Sequence, residues 1–149
     1  MIARRGTRLH ERGNTLAEFA VVLTASMVLI VGIIDFGRAL YTYHLVSNAA
    51  RIATRYASVR GSSCSPSGCT ATSSSIQTYV RGLAPELNQS NITVTTTWST
   101  STACAGSPFQ SAGCNVAVQV SYPYQFAAVP LLPSFTMTMR STSKMIISL

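Results

Sequence analysis

Apolar residues dominate one long stretch near the start of the chain. Residues 16–34 form a run of nineteen residues that is interrupted by the single charge of Glu18. A helix of this length rises about 30 Å, which is close to the hydrocarbon thickness of a bilayer. The run is longer than the apolar core of a cleavable secretory signal, and it continues without a break into residues 35–40. The pattern therefore predicts a transmembrane anchor.

Beyond this run the apolar residues recur every three or four positions. The pattern predicts one helix from near Thr15 to about Ser58, apolar all round in its first half and amphipathic in its second. Gly61 is the predicted C-terminal stop. The predicted core-facing stripe consists of Phe36, Leu40, Tyr43, Val46, Ala50, Ala53 and Ala57.

The rest of the chain changes to a period of two. Residues 62–75 are rich in Ser, Thr, Gly and Cys and predict a loop, and residues 76–83 predict a short helix. Alternating β-branched and aromatic residues predict half-buried antiparallel strands over 92–98, 116–126 and 135–140, with a further stretch near 145–147. Pro130 and Pro133 separate the last two strands. The expected fold is α+β and pilin-like, with one long helix laid across a small antiparallel sheet of three or four strands.

The charges fix an orientation for this arrangement. Only 10% of the 149 residues are charged, yet the net charge is +7. Four of the eleven basic residues (Arg4, Arg5, Arg8 and Arg12) precede the apolar run, where they favour a cytoplasmic N-terminus. The remaining basic residues are scattered, which argues against a nucleic-acid partner. We therefore expect a basic leader over 1–13, a transmembrane helix over 14–35 and an extracytoplasmic domain over 36–149, in a single-pass protein of the inner membrane.

All four cysteines lie in the part expected outside the cytoplasm. An even number of cysteines in the loops of a small exported domain predicts disulfides. Three pairings are possible, and local loop closure favours Cys64–Cys69 and Cys104–Cys114. Zinc is disfavoured by the spacing and by the shortage of histidine, and no cofactor is expected.

Catalytic motifs are not evident in the sequence. It contains no nucleotide-binding glycine motif and no zinc-protease motif. Beyond the leader the acidic residues are Glu18, Asp35 and Glu86, which are too few for paired acid–base chemistry away from the anchor. The sequence predicts a protein without a catalytic site.

A lone carboxylate inside the apolar run needs a physical reason, because a charge in a bilayer costs about 2.5–3.5 kcal/mol. Gly13 ends the basic leader five residues before Glu18, and Phe19 follows it. Cleavage after Gly13 would give Asn14 a free amino group about one helical turn from Glu18, so the two charges could neutralise each other. Without cleavage, Glu18 would only extend toward the head groups.

These residues resemble a known family. Gly13, Glu18 and Phe19 match the type IV prepilin processing signature. The segments 17–23 and 32–41, followed by Asn48-Ala49-Ala50-Arg51 and Arg55, are similar to TadE-like minor pilins and pseudopilins of the tight-adherence (Tad/Flp) pilus system. Thr24 departs from the family, since many relatives have proline there, and it implies a straighter helix.

The resemblance implies a function and partners. A prepilin peptidase would cut between Gly13 and Asn14, and Glu18 and Phe19 would act in assembly. The partners would be other Tad/Flp pilus subunits, the assembly platform and the lipid bilayer, and the pili would serve adhesion and biofilm formation. The alternative is an uncleaved single-pass membrane protein that displays an extracytoplasmic binding domain.

Overall fold

The computed structural model describes residues 8–99, 104, 110–126 and 135–148, with side chains from Thr15 onward. Two α-helices come first, followed by a 3-10 helix at Gln89–Asn91 and three strands. The elements are α1 (Arg8–Ser58), α2 (Ser73–Leu83), β1 (Thr93–Trp98), β2 (Asn115–Gln125) and β3 (Thr136–Ile146). The predicted α+β class, with one long N-terminal helix and a small antiparallel sheet, is confirmed.

The three strands form an antiparallel sheet in the order β1-β2-β3. Thr93 pairs with Ser121, and Gln125 pairs with Thr136. The two stretches predicted around 135–140 and 145–147 belong to the single strand β3, so the sheet has three strands. Pro123 lies in the central strand beyond the last residue paired with β1, so its missing N–H breaks no bond to β1. Pro130 and Pro133 lie outside the described residues.

Small side chains allow α1 to approach the sheet closely. Ala50, Ala53 and Ala57 are fully buried against the inner face of the sheet, where Val116 and Val118 are also fully buried. The helix packs on β2 and β3, and the inner face of β3 carries serines: the Thr54 hydroxyl donates to the Ser143 carbonyl at 3.3 Å, and Ser141 Oγ donates to Ser47 Oγ at 3.4 Å.

The predicted core stripe of α1 is wrong in its first part. Phe36, Leu40 and Tyr43 are exposed, whereas Val46, Ala50, Ala53 and Ala57 are buried as expected. Next to the apolar run the buried line is Asp35, Ala39, Thr42 and Val46. The buried face is therefore shifted there by one residue, about 100° around the helix. Small or polar side chains face the sheet because a closely packed helix leaves no space for the large ones.

Helix α1 ends where the sequence predicts, but Gly61 does not stop it. The helix ends at Ser58, three residues before Gly61. The Ser58 carbonyl accepts hydrogen bonds from the Ser148 backbone N–H at 2.9 Å and from Ser148 Oγ at 3.3 Å. A carbonyl at the end of the helix is thus satisfied by the chain that follows β3, and a left-handed glycine is not required.

Helix α2 begins three residues earlier than predicted. Thr72 is its N-cap: the Thr72 hydroxyl accepts from the Ser75 N–H at 3.2 Å, and Ser75 Oγ accepts from the Thr72 N–H at 2.9 Å. This reciprocal capping box uses Ser where Glu or Gln is usual, which is why residues 73–75 resembled a loop. Tyr79 of α2 stacks on Tyr56 of α1 with 4.3 Å between ring centroids, and this contact holds α2 against α1.

Candidate functional site

The residues predicted to surround a cleavage site all lie in the first turns of α1. The helix is continuous through Gly13, Asn14, Glu18 and Phe19. For Gly13 and Asn14 the structure describes the backbone alone. Asn14 and Glu18 are four residues apart and therefore share one helical face, with a rise of about 6 Å between them. An amino group created at Asn14 would thus stand about one turn from the Glu18 carboxyl.

Glu18 and Phe19 are exposed on the helix surface, together with the apolar residues that follow them. The most apolar stretch of 18 residues in α1 has a mean hydropathy of 2.4, and only 6% of it is buried. The helix is long and apolar enough to cross a membrane. Its hydroxyls are satisfied within the helix, since Thr24 Oγ1 donates to the Ala20 carbonyl at 2.7 Å and Ser26 Oγ to the Val22 carbonyl at 2.8 Å. The helix continues unbroken through Thr24, as its substitution for proline implied.

Asp35 marks the point where the exposed half of α1 meets the domain. Its side chain is 7% exposed, and Tyr124 Oη donates to Asp35 Oδ1 at 2.9 Å and to the Asp35 carbonyl at 3.3 Å. Burial raises the pKa of the Tyr124 hydroxyl, the hydrogen bond to Asp35 and the charge of Asp35 raise it further, and Arg38 lowers it. Sequence reasoning did not find this contact. Its only signal in the sequence is that Asp35 lies four positions before Ala39 and therefore on the same face of the helix. The structure buries both residues.

A second tyrosine–carboxyl contact lies on the surface. Tyr41 Oη donates to Glu86 Oε2 at 2.7 Å, and this hydrogen bond, with the charge of Glu86, raises the pKa of Tyr41. Asp35 and Glu86, the two carboxyl groups beyond the apolar run, therefore each accept a hydrogen bond from a tyrosine of the opposite segment. These two hydrogen bonds connect α1 to the rest of the domain. Among the described residues, no group of three His, Cys, Asp or Glu side chains could hold a metal ion.

The cysteines form two local disulfides, Cys64–Cys69 and Cys104–Cys114, which is the pairing that the spacing favours. Cys104 and Cys114 belong to the buried core. Cys114 lies directly before β2, and its carbonyl accepts from the Ile147 N–H at 2.8 Å. The bond between Cys64 and Cys69 closes a turn after α1, outside this core.

Comparison with known protein families identifies a match to part of the chain. Residues 13–55 match the model of the family described as TadE-like protein. No curated protein and no solved structure gives a significant match. The matched segment begins at Gly13 and ends three residues before α1 does, so it contains the exposed apolar half, the Asp35 contact and most of the half that packs on the sheet. The resemblance seen in the sequence is confirmed over these residues, which are similar to the TadE-like family.

Proposed function

We propose that this protein is a TadE-like minor pilin or pseudopilin of a Tad pilus system. It is cut between Gly13 and Asn14 by a prepilin peptidase, and the mature subunit is needed to assemble Flp-type pili that act in adhesion and biofilm formation. The observation that carries the proposal is the family match over residues 13–55, which begins at the residue before the proposed cut and follows the long helix almost to its end.

The two halves of α1 support an anchored subunit. Its exposed apolar half has the length and composition of a membrane span, and its second half packs on the sheet. The basic leader stays in the cytoplasm in this proposal, and residues 36–149 lie on the other side of the inner membrane. The two disulfides are consistent with that side, since disulfides persist in oxidising compartments.

Glu18 supports a role in assembly. In the proposed mature chain, the Asn14 amino group and the Glu18 carboxylate lie about one turn apart at the start of the span, where a pair of opposite charges offsets the cost of placing either in lipid. The same carboxylate could pair with the amino group of a neighbouring subunit. Cleavage also removes four arginines and Glu11 from a chain of net charge +7, which leaves +4 on the subunit.

The mature N-terminus tests the proposal directly. The full chain is expressed with and without a prepilin peptidase, and its N-terminal peptide is identified by mass spectrometry. We expect a peptide that begins at Asn14 only with the peptidase, and we expect Gly13→Ala to abolish it. Gly32→Ala is the matched control, because a methyl group at Gly32 meets nothing within 4 Å.

An intact Met1 terminus in the presence of active peptidase would overturn cleavage and favour the uncleaved display protein. Assembly is tested separately with Glu18→Gln. We expect this variant to be cut normally and to be lost from the assembled pilus machinery, while Glu86→Gln, which changes a carboxyl group of the domain, assembles as the wild type does. Normal assembly of Glu18→Gln would remove Glu18 from the proposed mechanism.

A further inference from the structure

Large apolar side chains gather at the end of the sheet that lies beside the anchor. The Phe126 N–H donates to the Phe135 carbonyl at 3.0 Å, and the two rings lie 5.8 Å apart. Phe126 also meets the Tyr124 ring edge-on at 5.1 Å. Phe135 is 64% exposed and Met137 is 44% exposed. We call Phe126, Phe135 and Met137 the aromatic end of the domain.

The Tyr124–Asp35 hydrogen bond fixes the level of the aromatic end along α1. At the opposite end of the sheet, Ser148 bonds to Ser58, so the strands of the sheet run alongside the helix from Ser58 back to Asp35. From Tyr124 to Phe126 a strand advances about 7 Å. That distance equals four to five residues of helix, at about 1.5 Å per residue. Phe126 and its neighbour Phe135 therefore lie at about the level of residues 30–34, inside the apolar run.

The surroundings at this level are apolar on the helix as well. Ile33 and Ile34 are exposed, and Phe36 is 61% exposed on the adjoining turn. The one acidic group nearby, Asp35, is buried beneath Tyr124 and is thus kept away from lipid. Arg38 is exposed about one turn above, at a height from which its side chain can reach phosphate groups.

We propose that the aromatic end rests in the interfacial layer of the lipid bilayer and gives the domain a second attachment beside its anchor helix. The inference rests on the anchored placement proposed above. It commits to lipid because this surface is continuous with the apolar span and because large apolar side chains such as Phe bury into the boundary between head groups and acyl chains. Two attachments restrict the tilt of the domain, and a subunit that leaves the membrane must release both.

The chain contains its own reference for a fluorescence test. Its single tryptophan, Trp98, pairs with Val116 at the end of the sheet away from Asp35. In the Trp98→Phe background, Phe135→Trp places the probe at the aromatic end and Leu29→Trp places it in the anchor. Each full-length variant is reconstituted in phosphatidylethanolamine–phosphatidylglycerol vesicles whose acyl chains are brominated near the head group. Met137→Trp is a second probe of the aromatic end, should Phe135→Trp fold poorly.

We expect the probes at 29 and 135 to lose a large fraction of their emission in brominated vesicles, with a shift to shorter wavelength, and Trp98 of the wild type to lose almost none. A quenched probe at 29 with unquenched probes at 135 and 137 would overturn this inference and leave the anchor intact. An unquenched probe at 29 would overturn the anchor itself. If the emission of the probe at 135 shifts to shorter wavelength only at a high protein-to-lipid ratio, a second copy covers the surface. That result would also overturn the inference.

Discussion

Two buried hydroxyl groups, those of Tyr124 and Thr96, differ in whether they have a hydrogen-bond partner. Tyr124 reaches across from β2 to a buried Asp35, and the hydrogen bond places a polar contact where the helix leaves the apolar run. Thr96, on the inner face of β1, has a buried hydroxyl without a hydrogen-bond partner among the described residues. The first contact stabilises the junction, and the second group weakens the core.

Tyr124→Phe should destabilise the protein at neutral pH. It removes one donor from the buried Asp35 carboxyl, and such a loss costs about 1–3 kcal/mol. Tyr122→Phe, on the same strand and face, is the control and should change the free energy of unfolding little. The measurement is denaturant unfolding of the full chain in detergent, followed by Trp98 fluorescence. Equal stability of the two variants would contradict a stabilising Asp35–Tyr124 bond.

The same bond has a pH dependence with a defined sign. Because the folded protein raises the Tyr124 pKa above 10.0, its neutral hydroxyl is favoured in the folded state. That contribution to stability is complete below pH 10 and is lost as pH rises through the folded pKa. The stability difference between wild type and Tyr124→Phe should therefore shrink when the unfolding measurement is repeated above pH 10. A difference that stays constant would contradict the raised pKa.

Thr96→Val should stabilise the protein by about 1 kcal/mol, because it replaces an unpartnered buried hydroxyl with a methyl group of the same shape. Valine also keeps the β-branched side chain that suits a strand. Thr95→Val and Thr97→Val are matched controls on the exposed face of β1 and should change stability by less. Unfolding midpoints in denaturant compare the three variants, and destabilisation by Thr96→Val alone would show that the hydroxyl is hydrogen-bonded in solution.

At the scale of elements, α1 packs through small side chains. Ala50, Ala53 and Ala57 have no exposed surface, and the serines of β3 let the helix backbone approach. Ala53→Leu should overpack this layer and destabilise the protein by about 1–3 kcal/mol. Arg55→Leu, at an exposed position of the same helix, should change stability little. The denaturant midpoints of the two variants measure the difference, and a well-tolerated Ala53→Leu would mean that the helix and sheet separate easily.

The elements themselves could be predicted from periodicity, because each has a strong pattern of its own. Period-two alternation located all three strands, and the long apolar run located α1. Which face of α1 packs on the sheet could not be predicted near Phe36, Leu40 and Tyr43. A hydrophobic stripe indicates an apolar face, but it does not show whether a sheet or a membrane covers that face. The start of α2 was missed because its capping box uses Ser75 in a serine-rich segment. Both errors arise where the answer depends on a partner distant in sequence.

The residues of the candidate site also fall into two groups, those that the sequence identifies and those that only the folded structure brings together. Gly13, Asn14, Glu18 and Phe19 could be found from the sequence because their spacing along one helix carries the chemistry. Asp35 and Tyr124 could not be paired, since they are eighty-nine positions apart and meet only when β2 lies along the helix. Contacts of this kind follow from the register of the sheet, which local patterns do not fix.

At the scale of the whole molecule, the two ends of the sheet are held differently. One end is tied to α1 by Tyr124 and Asp35 and carries the exposed aromatic residues. The other end is closed by the Cys104–Cys114 disulfide and by hydrogen bonds of Ile147 and Ser148 to Cys114 and Ser58. A domain held at both ends along one helix should move as a unit with α1, so loss of either set of contacts should lower the stability of the whole sheet.

The two disulfides should therefore contribute unequally. Chain entropy assigns about 2 kcal/mol to the Cys64–Cys69 loop of sequence separation 5 and about 3 kcal/mol to the Cys104–Cys114 loop of separation 10. Cys104 and Cys114 also lie in the core, so the double variant Cys104→Ser/Cys114→Ser adds two buried hydroxyls to the entropic loss. The Cys64→Ser/Cys69→Ser variant is the matched control, because it removes the same bond outside the core. In denaturant unfolding monitored at Trp98, the first variant should lose clearly more stability than the second. Equal losses would mean that the disulfide at the far end of the sheet constrains only its own loop.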